Sequence, residues 1–308
     1  MSPILTFDHS QRSSWQMCKR SHFFRHGLGI RKATPDSAGF SFGSAFHASS
    51  ETLDITGDIN AAMAQFTDMF SYPDDKVRTL VRARELLVAY QEYVAKKHWT
   101  FTQTSPTTME IAFNEVLVPD RINYAGRCDR QFEGDELGEY KTTYYLYNKA
   151  GNAIPFLQGW WGHNSIRGYA WARKAKAMTL LGIGVYPQKD DKKNKYRCIE
   201  SLRIPIQNWE IALFIREATK IGEEMISYYQ KFDLKLGYDF EENMEKALRH
   251  NLWNEFDTNT TASHYHTNDC QFNDLCTRNV PKGLVESNYV LDPFLPWVDD
   301  EKGEESGK

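Results

Sequence analysis

The sequence lacks the features of an exported or membrane-embedded protein. Its first 15 residues, MSPILTFDHSQRSSW, contain no basic segment followed by an apolar run, so we expect no secretory signal. No stretch approaches the roughly 18 consecutive apolar residues that a membrane helix needs. We therefore expect a cytoplasmic protein that does not contact a membrane.

The chain also lacks a strong charge of one sign and an even number of cysteines. A net charge of -4 gives no overall attraction to a polyanion. Basic residues nevertheless concentrate in residues 19–32 and 189–197, and local basic patches can bind nucleic acid. For the second patch, an ordinary solvated surface explains the charges equally well. Five cysteines without an export signal argue against a disulfide framework and favour metal ligation or burial.

The composition is that of a globular protein, with 41% hydrophobic and 25% charged residues. Residue periodicity predicts helices over 10–26, from 44, and over 60–70, 74–97, 155–174, 206–232 and 241–252. It predicts a strand meander over 108–118, 122–132 and 137–145, and further strands over 178–186 and 196–204. We predict an α/β fold in which helices flank a central mixed sheet. The predicted organisation is one domain, 1–308, with a helical N-terminal wing (1–100), a core (105–232) and a C-terminal extension (233–308).

Three charged side chains on two neighbouring predicted strands form the candidate catalytic centre. Glu139 and Lys141 are two residues apart, so their side chains leave the same face of a strand, and Asp129 lies on the strand before. Two neighbouring carboxylates suit a hard divalent cation such as Mg²⁺ or Mn²⁺. Such an ion neutralises a phosphate and lowers the pKa of a bound water molecule. Lys141 can hold that water or support the charge that grows on phosphorus.

This centre imposes a condition on the hairpin. Asp129 and Glu139 share a face only if the turn between their strands holds an odd number of residues, or if a bulge shifts the register. A plain four-residue turn at 133–136 would place the two carboxylates on opposite faces. The sequence therefore requires an irregularity between Asp129 and Glu139.

Further motifs occur in a fixed order along the chain. The series resembles the RecB-like branch of the PD-(D/E)XK nucleases, which includes exonucleases of recombination helicases, phage exonucleases and nucleases of CRISPR adaptation. The resemblance spans most of the chain. The matching motifs are Cys18-Lys19-Arg20 with Phe23 and Phe24, Gly43 to His47, Gly126 to Asp129, Glu139 to Thr142, and a helix that ends in Gly168-Tyr169.

The resemblance implies a restriction-endonuclease-like core and a metal-dependent exonuclease that acts on DNA ends in recombination, repair or phage DNA processing. The implied metal ligands are His47, Asp129, Glu139 and Tyr140, and Glu51 lies one helical turn after His47. The implied substrate contacts are Arg127, Thr142, Arg167 and Tyr169. Tyr169 suits a core aromatic role equally well. The family's Gln four residues before the helix tyrosine is Ser165 here, so this motif is incomplete.

Cysteines near the two ends resemble the iron–sulfur staple of this branch, in which four cysteines hold a [4Fe–4S] cluster. Cys18, Cys270 and Cys276 match three of the four positions. His264 or His266 would supply a fourth ligand. A zinc site of cysteine and histidine, or a degenerate site without metal, are the other interpretations.

The chain has no G-x-x-x-x-G-K-[ST] phosphate-binding loop, so a DNA nuclease of this kind would rely on a helicase or another recombination or adaptation partner for unwinding. Two other hypotheses remain. One is a catalytically silent DNA-binding or scaffolding module of the same fold, which would have no chemical need for Asp129, Glu139 and Lys141 together. The other is a nuclease subunit of a CRISPR-adaptation complex.

Overall fold

The structure is a computed structural model. It describes residues 4–32, 37–72, 74–102, 109–132, 134–144, 146–147, 153–160, 163–185, 198–236, 239–250, 252–256, 272, 275 and 289–292. The chain divides into two compact units, each assembled from separate segments. The first contains Met1–Thr34, Ala112–Gly126 and Ala212–Lys308, and the second contains Pro35–Ile111 and Arg127–Ile211. The predicted single-domain organisation stays a prediction.

Runs of helices and runs of strands follow one another along the described part of the chain. The strands are β1 (Leu5–Phe7), β2 (Ile30–Lys32), β3 (Ile111–Val118), β4 (Ile122–Cys128), β5 (Arg130–Gln131), β6 (Glu136–Thr143), β7 (Ala177–Gly184), β8 (Ile199–Pro205) and β9 (Tyr289–Leu291). The α-helices are α1 (His9–Met17), α2 (Lys19–His22), α3 (Ala38–Thr56), α4 (Ile59–Met69), α5 (Leu80–Lys97), α6 (Ile154–Gly159), α7 (Asn164–Arg173), α8 (Asn208–Lys231) and α9 (Phe240–His250). A π-helical turn follows α2 at Phe23–Gly27, and a 3₁₀ turn lies at Leu252–Glu255.

The strands form three sheets in the described part of the chain. One has the order β1-β4-β3, with β1 parallel to β4, and a second pairs β2 with β9. The third has the order β5-β6-β7-β8. In this third sheet β6 and β7 are parallel, whereas the two outer pairings are antiparallel. The predicted mixed sheet is therefore confirmed, but the predicted meander is divided between two sheets.

Helices cover both faces of the third sheet. Because side chains alternate along a strand, Leu181 and Ile183 of β7 pack with α3, α4 and α5 in one buried cluster. On the other face, a Cβ on Gly182 would lie 2.6 Å from Leu146 and 3.0 Å from Leu157 of α6. Glycine thus lets α6 approach the sheet closely, and the predicted arrangement of helices on a mixed sheet is confirmed.

Two of the helix predictions need correction. Residues 10–26 do not form one helix, because the backbone at Cys18 is extended, with φ -162°. The Cys18 sulfur instead accepts the N–H of Ser21 and begins α2. The predicted helix over 155–174 is two helices, α6 and α7.

Within the described residues, no helix has both the length and the apolar character that spanning a bilayer would require.

Candidate active site

The hairpin of β5 and β6 sets the geometry of the site. The two strands are antiparallel, with Arg130 opposite Gly138. One step further in this register, Asp129 lies opposite Glu139. The register leaves three residues, 133–135, at the centre of the turn, which is the odd number that the sequence required. Asp129 itself lies at a bend between β4 and β5.

Two groups hold the Asp129 carboxylate. Its Oδ2 accepts the backbone N–H of Tyr140 at 2.6 Å. Its Oδ1 lies 3.4 Å from Nδ1 of His47, which α3 carries to this position. The sequence-predicted His47 and Asp129 are therefore neighbours, although 82 positions separate them along the chain.

Glu139 and Lys141 share a face of β6, as their spacing predicts. The Lys141 ammonium donates to Oε1 of Glu139 at 2.5 Å. Glu139 is 4% exposed, and its Oε2 is buried without a hydrogen-bond partner in the described part of the structure. A buried carboxylate oxygen in this state is unfavourable unless a cation or a donor reaches it.

The charges of the site act on one another. Burial and then the charge of Asp129 raise the pKa of Glu139. Burial would also raise the pKa of Asp129, but the charges of His47 and Lys141 outweigh it and lower that pKa. Burial opposes the charge of Lys141, yet Glu139 and Asp129 raise the pKa of its ammonium. Lys141 is accordingly a cation at neutral pH.

The donor chemistry of the site fits a divalent cation. Asp129 and Glu139 supply hard carboxylate oxygens, one of them the partnerless Oε2 of Glu139. Among the described residues, no three His, Cys, Asp or Glu side chains are already grouped to hold a metal ion. The two carboxylates are instead engaged by His47 and Lys141.

The side chain of Tyr140 lies on the opposite face of β6. Its hydroxyl is 2.9 Å from the hydroxyl of Tyr90, and the ring packs in the cluster of α3, α4 and α5. The phenol therefore points away from the carboxylates, and only the backbone of Tyr140 meets Asp129.

The predicted substrate contacts fall into two groups. Arg127 lies on β4, two residues before Asp129, and donates to Glu110 at 3.0 Å. Thr142 shares the Tyr140 face of β6, and its Oγ1 lies against Gly43 of α3. Arg167 and Tyr169 lie on α7, which packs against β7. Arg167 is 3.7 Å from Glu210, and Tyr169 is half-buried.

The sequence did not single out two residues of the site. Glu110 accepts a hydrogen bond from Arg127 at 3.0 Å, and burial and then the charge of Asp129 raise the pKa of its carboxyl. The ring centroid of Trp160 is 4.8 Å from the ammonium of Lys141. No motif surrounds either residue, so only the fold identifies them. Glu51 accepts the backbone N–H of Glu110 at 3.1 Å and thus holds that segment.

The candidate iron–sulfur ligands are described only in part. Cys18 is buried, whereas Cys270, Cys276, His264 and His266 lie outside the described residues. The cluster stays a prediction.

Solved structures with a similar arrangement include two exonucleases. One is an alkaline exonuclease from Laribacter hongkongensis, with 12% identity, 68% of this chain and 97% of that chain covered, and a TM-score of 0.34. The other is a phage-related exonuclease from Haemophilus somnus 129PT, with 13% identity, 55% and 83% covered, and a TM-score of 0.31. No curated protein matches the chain.

A family model gives the decisive comparison. The model of the PD-(D/E)XK nuclease superfamily matches residues 7–277, which is most of the chain. The match includes Asp129, Glu139 and Lys141 and the mixed sheet that positions them, as expected for a restriction-endonuclease-like core. This protein belongs to the PD-(D/E)XK nuclease superfamily.

Proposed function

We propose that this protein is a divalent-metal-dependent deoxyribonuclease that hydrolyses phosphodiester bonds at DNA ends. The observation that carries the proposal is the hairpin register, which sets Asp129 opposite Glu139 and leaves Lys141 beside Glu139. This is the arrangement that a phosphodiester-cleaving centre with one acidic pair and one lysine requires.

Asp129 and Glu139 would hold Mg²⁺ or Mn²⁺, with His47 beside Asp129 as a further ligand. When bound, the ion neutralises the phosphate and lowers the pKa of a water molecule. The buried, partnerless Oε2 of Glu139 supports this assignment, because a cation would satisfy it.

The protein's own groups prepare the reaction in three ways. Lys141 is protonated and can donate to a phosphate oxygen, which stabilises the negative charge that grows in the transition state. His47 and the backbone N–H of Tyr140 orient the Asp129 carboxylate. Burial of Glu139 keeps bulk water from screening these charges.

DNA is the proposed substrate, and its ends are the proposed site of attack. Arg127 and Arg167 are proposed to bind phosphates, and Tyr169 to contact an adjoining nucleotide. Attack at ends is supported by the order of the motifs from Cys18 to Tyr169, which is the order found in exonucleases of the RecB-like branch. A helicase or a recombination or adaptation protein would supply the unwound strand.

The proposal is tested with end-labelled linear DNA and covalently closed circular DNA, each single- and double-stranded. We expect Mg²⁺ or Mn²⁺ to support loss of linear DNA and EDTA to abolish it, with circular DNA intact. Asp129→Asn and Glu139→Gln should both abolish digestion. Asp135→Asn is the matched control, because Asp135 lies in the turn of the same hairpin and pairs with Lys176 on the surface.

Three outcomes would contradict the proposal. Cleavage of circular DNA at the same rate would exclude attack at ends. Binding of DNA without cleavage under either metal would favour a silent DNA-binding module. Full activity in Glu139→Gln would show that the acidic pair does not perform the chemistry.

A further inference from the structure

A buried arginine lies directly behind the candidate active site. Arg130 follows Asp129 and is 2% exposed. Its guanidinium donates to the backbone carbonyl oxygen of Asp129 at 2.6 Å, to Asp54 at 2.8 Å and to Ser50 at 3.3 Å. All four residues belong to the same compact unit.

Asp54, which receives this guanidinium, is itself fixed. Both of its carboxylate oxygens lie 2.8 Å from the Tyr90 hydroxyl, which donates to them. The Tyr90 hydroxyl is also 2.9 Å from the Tyr140 hydroxyl, and Arg130 lies over the Tyr140 ring at 5.1 Å. The network therefore connects α3, α5 and β6 through one buried ion pair. Such a pair keeps a definite geometry because any displacement leaves a buried charge uncompensated.

The position of Asp129 explains why its backbone needs this support. Asp129 lies at the bend between β4 and β5, outside both strands, so regular strand pairing does not fix it. Two hydrogen bonds hold Asp129 instead. Arg130 holds the carbonyl oxygen, and the N–H of Tyr140 holds the carboxylate.

We propose that Arg130 is a positioning residue for catalysis: its guanidinium, fixed by Asp54, holds the backbone of Asp129 so that the Asp129 carboxylate faces Glu139. The inference rests on the proposed nuclease function. The inference goes beyond that function by assigning a role in the reaction to Arg130, a buried group on the face of the hairpin opposite the carboxylates.

A purely structural role for Arg130 makes a different prediction. If the ion pair served stability alone, its loss would lower the unfolding temperature and leave the properties of the folded site unchanged. A positioning role requires that the folded variant binds the metal more weakly and turns over more slowly, with DNA binding largely unaffected.

The experiment uses the full chain and Arg130→Lys, which keeps the charge but loses the planar fork that reaches three acceptors. Arg82→Lys is the matched control. Arg82 lies in the same unit and donates to the carbonyl oxygens of Val185 at 2.8 Å and Gly184 at 3.2 Å, at the end of β7. For each protein, thermal unfolding, kcat and KM on labelled DNA, and Mn²⁺ affinity by electron paramagnetic resonance without DNA are measured.

We expect Arg130→Lys to lower kcat and Mn²⁺ affinity by about 10- to 100-fold, as the loss of groups that orient metal ligands typically does. KM should change by less than about threefold, and Arg82→Lys should leave kcat and Mn²⁺ affinity unchanged. Equal kcat and Mn²⁺ affinity in wild type and folded Arg130→Lys would overturn the inference. So would equal losses in Arg82→Lys.

Two further comparisons keep the inference testable. If Arg130→Lys does not fold, Asp54→Asn replaces it, because asparagine removes the charge that fixes the guanidinium and offers one acceptor oxygen instead of two, which weakens the hold on Arg130. A fall in Mn²⁺ affinity in folded Asp54→Asn supports the inference, and unchanged affinity overturns it. If wild type cuts no DNA, the proposed function fails, whereas the Mn²⁺ comparison between wild type and Arg130→Lys still decides the positioning role.

Discussion

Gly43 determines how closely α3 approaches β6, and replacing it with alanine should disturb the site. A Cβ at position 43 would lie 3.0 Å from Oγ1 of Thr142, whereas comfortable contact between such atoms is roughly 3.5 Å. The added methyl group must move Thr142 or α3 by about half an ångström. His47 lies one helical turn after Gly43, so a movement of α3 reaches its pair with Asp129.

The expected change in stability combines two opposing effects. Alanine for glycine inside a helix ordinarily raises the free energy of unfolding by about 1 kcal/mol. Crowding a packed side chain lowers it by about 1–3 kcal/mol. We therefore expect Gly43→Ala to be destabilised by roughly 1 kcal/mol. In a Thr142→Ala background the crowding is removed, and the same substitution should stabilise by about 1 kcal/mol.

The assay is urea unfolding of wild type, the two single variants and the double variant, which together measure the coupling between the two positions. We expect a coupling of about 2 kcal/mol and a lower kcat for Gly43→Ala. Gly39→Ala on the same helix is the control, because its Cβ would meet only the movable end of Arg78, at 3.3 Å. An equal effect of Gly43→Ala in both backgrounds would refute the reasoning.

Three other predictions follow from single groups. Tyr90→Phe leaves the buried Asp54 without its hydroxyl donor, and urea unfolding should show a loss of about 1–3 kcal/mol. Burial raises the pKa of Asp8 from 3.8 to about 6, so the folded state favours the neutral carboxyl. The stability that protonated Asp8 contributes is therefore complete below pH 3.8 and is lost as the pH rises through about 6. Asp8→Asn should therefore match wild type in unfolding free energy near pH 3.5 and exceed it by up to about 3 kcal/mol at pH 8; a constant difference across this range would contradict the assignment. Trp160→Leu removes the ring beside Lys141 and should lower kcat by up to about tenfold, and unchanged steady-state kinetics would exclude that role.

The proposed catalytic residues could be singled out from the sequence because their signals are local. The two-residue spacing of Glu139 and Lys141 fixes a shared face for any strand, whatever surrounds it. Whether Asp129 faces the same side as Glu139 could not be predicted, since the sequence does not determine how many residues the turn holds. It could only be said that the number must be odd. The three residues at the centre of the turn satisfy that condition.

Groups whose role depends on distant partners could not be predicted. Glu110 and Trp160 carry no local motif, and only the fold brings them near Asp129 and Lys141. The break at Cys18 depends on a sulfur that accepts a backbone N–H, which helical periodicity does not reveal.

The buried network of Arg130, Asp54 and Tyr90 could not be predicted for the same reason. Asp54 and Tyr90 look like ordinary helix residues in the sequence, because nothing local shows that they meet Arg130. Their assignment required the three-dimensional structure.

Direct measurement of Mn²⁺ binding, in the absence of DNA, tests the central claim that Asp129 and Glu139 act together on one divalent ion. Electron paramagnetic resonance of free Mn²⁺ would be compared for wild type, Asp129→Asn, Glu139→Gln and the surface control Asp135→Asn. We predict that wild type and the control bind with equal affinity, and that each site variant binds at least about tenfold more weakly. Equal binding by all four proteins, or no binding by wild type, would contradict the account.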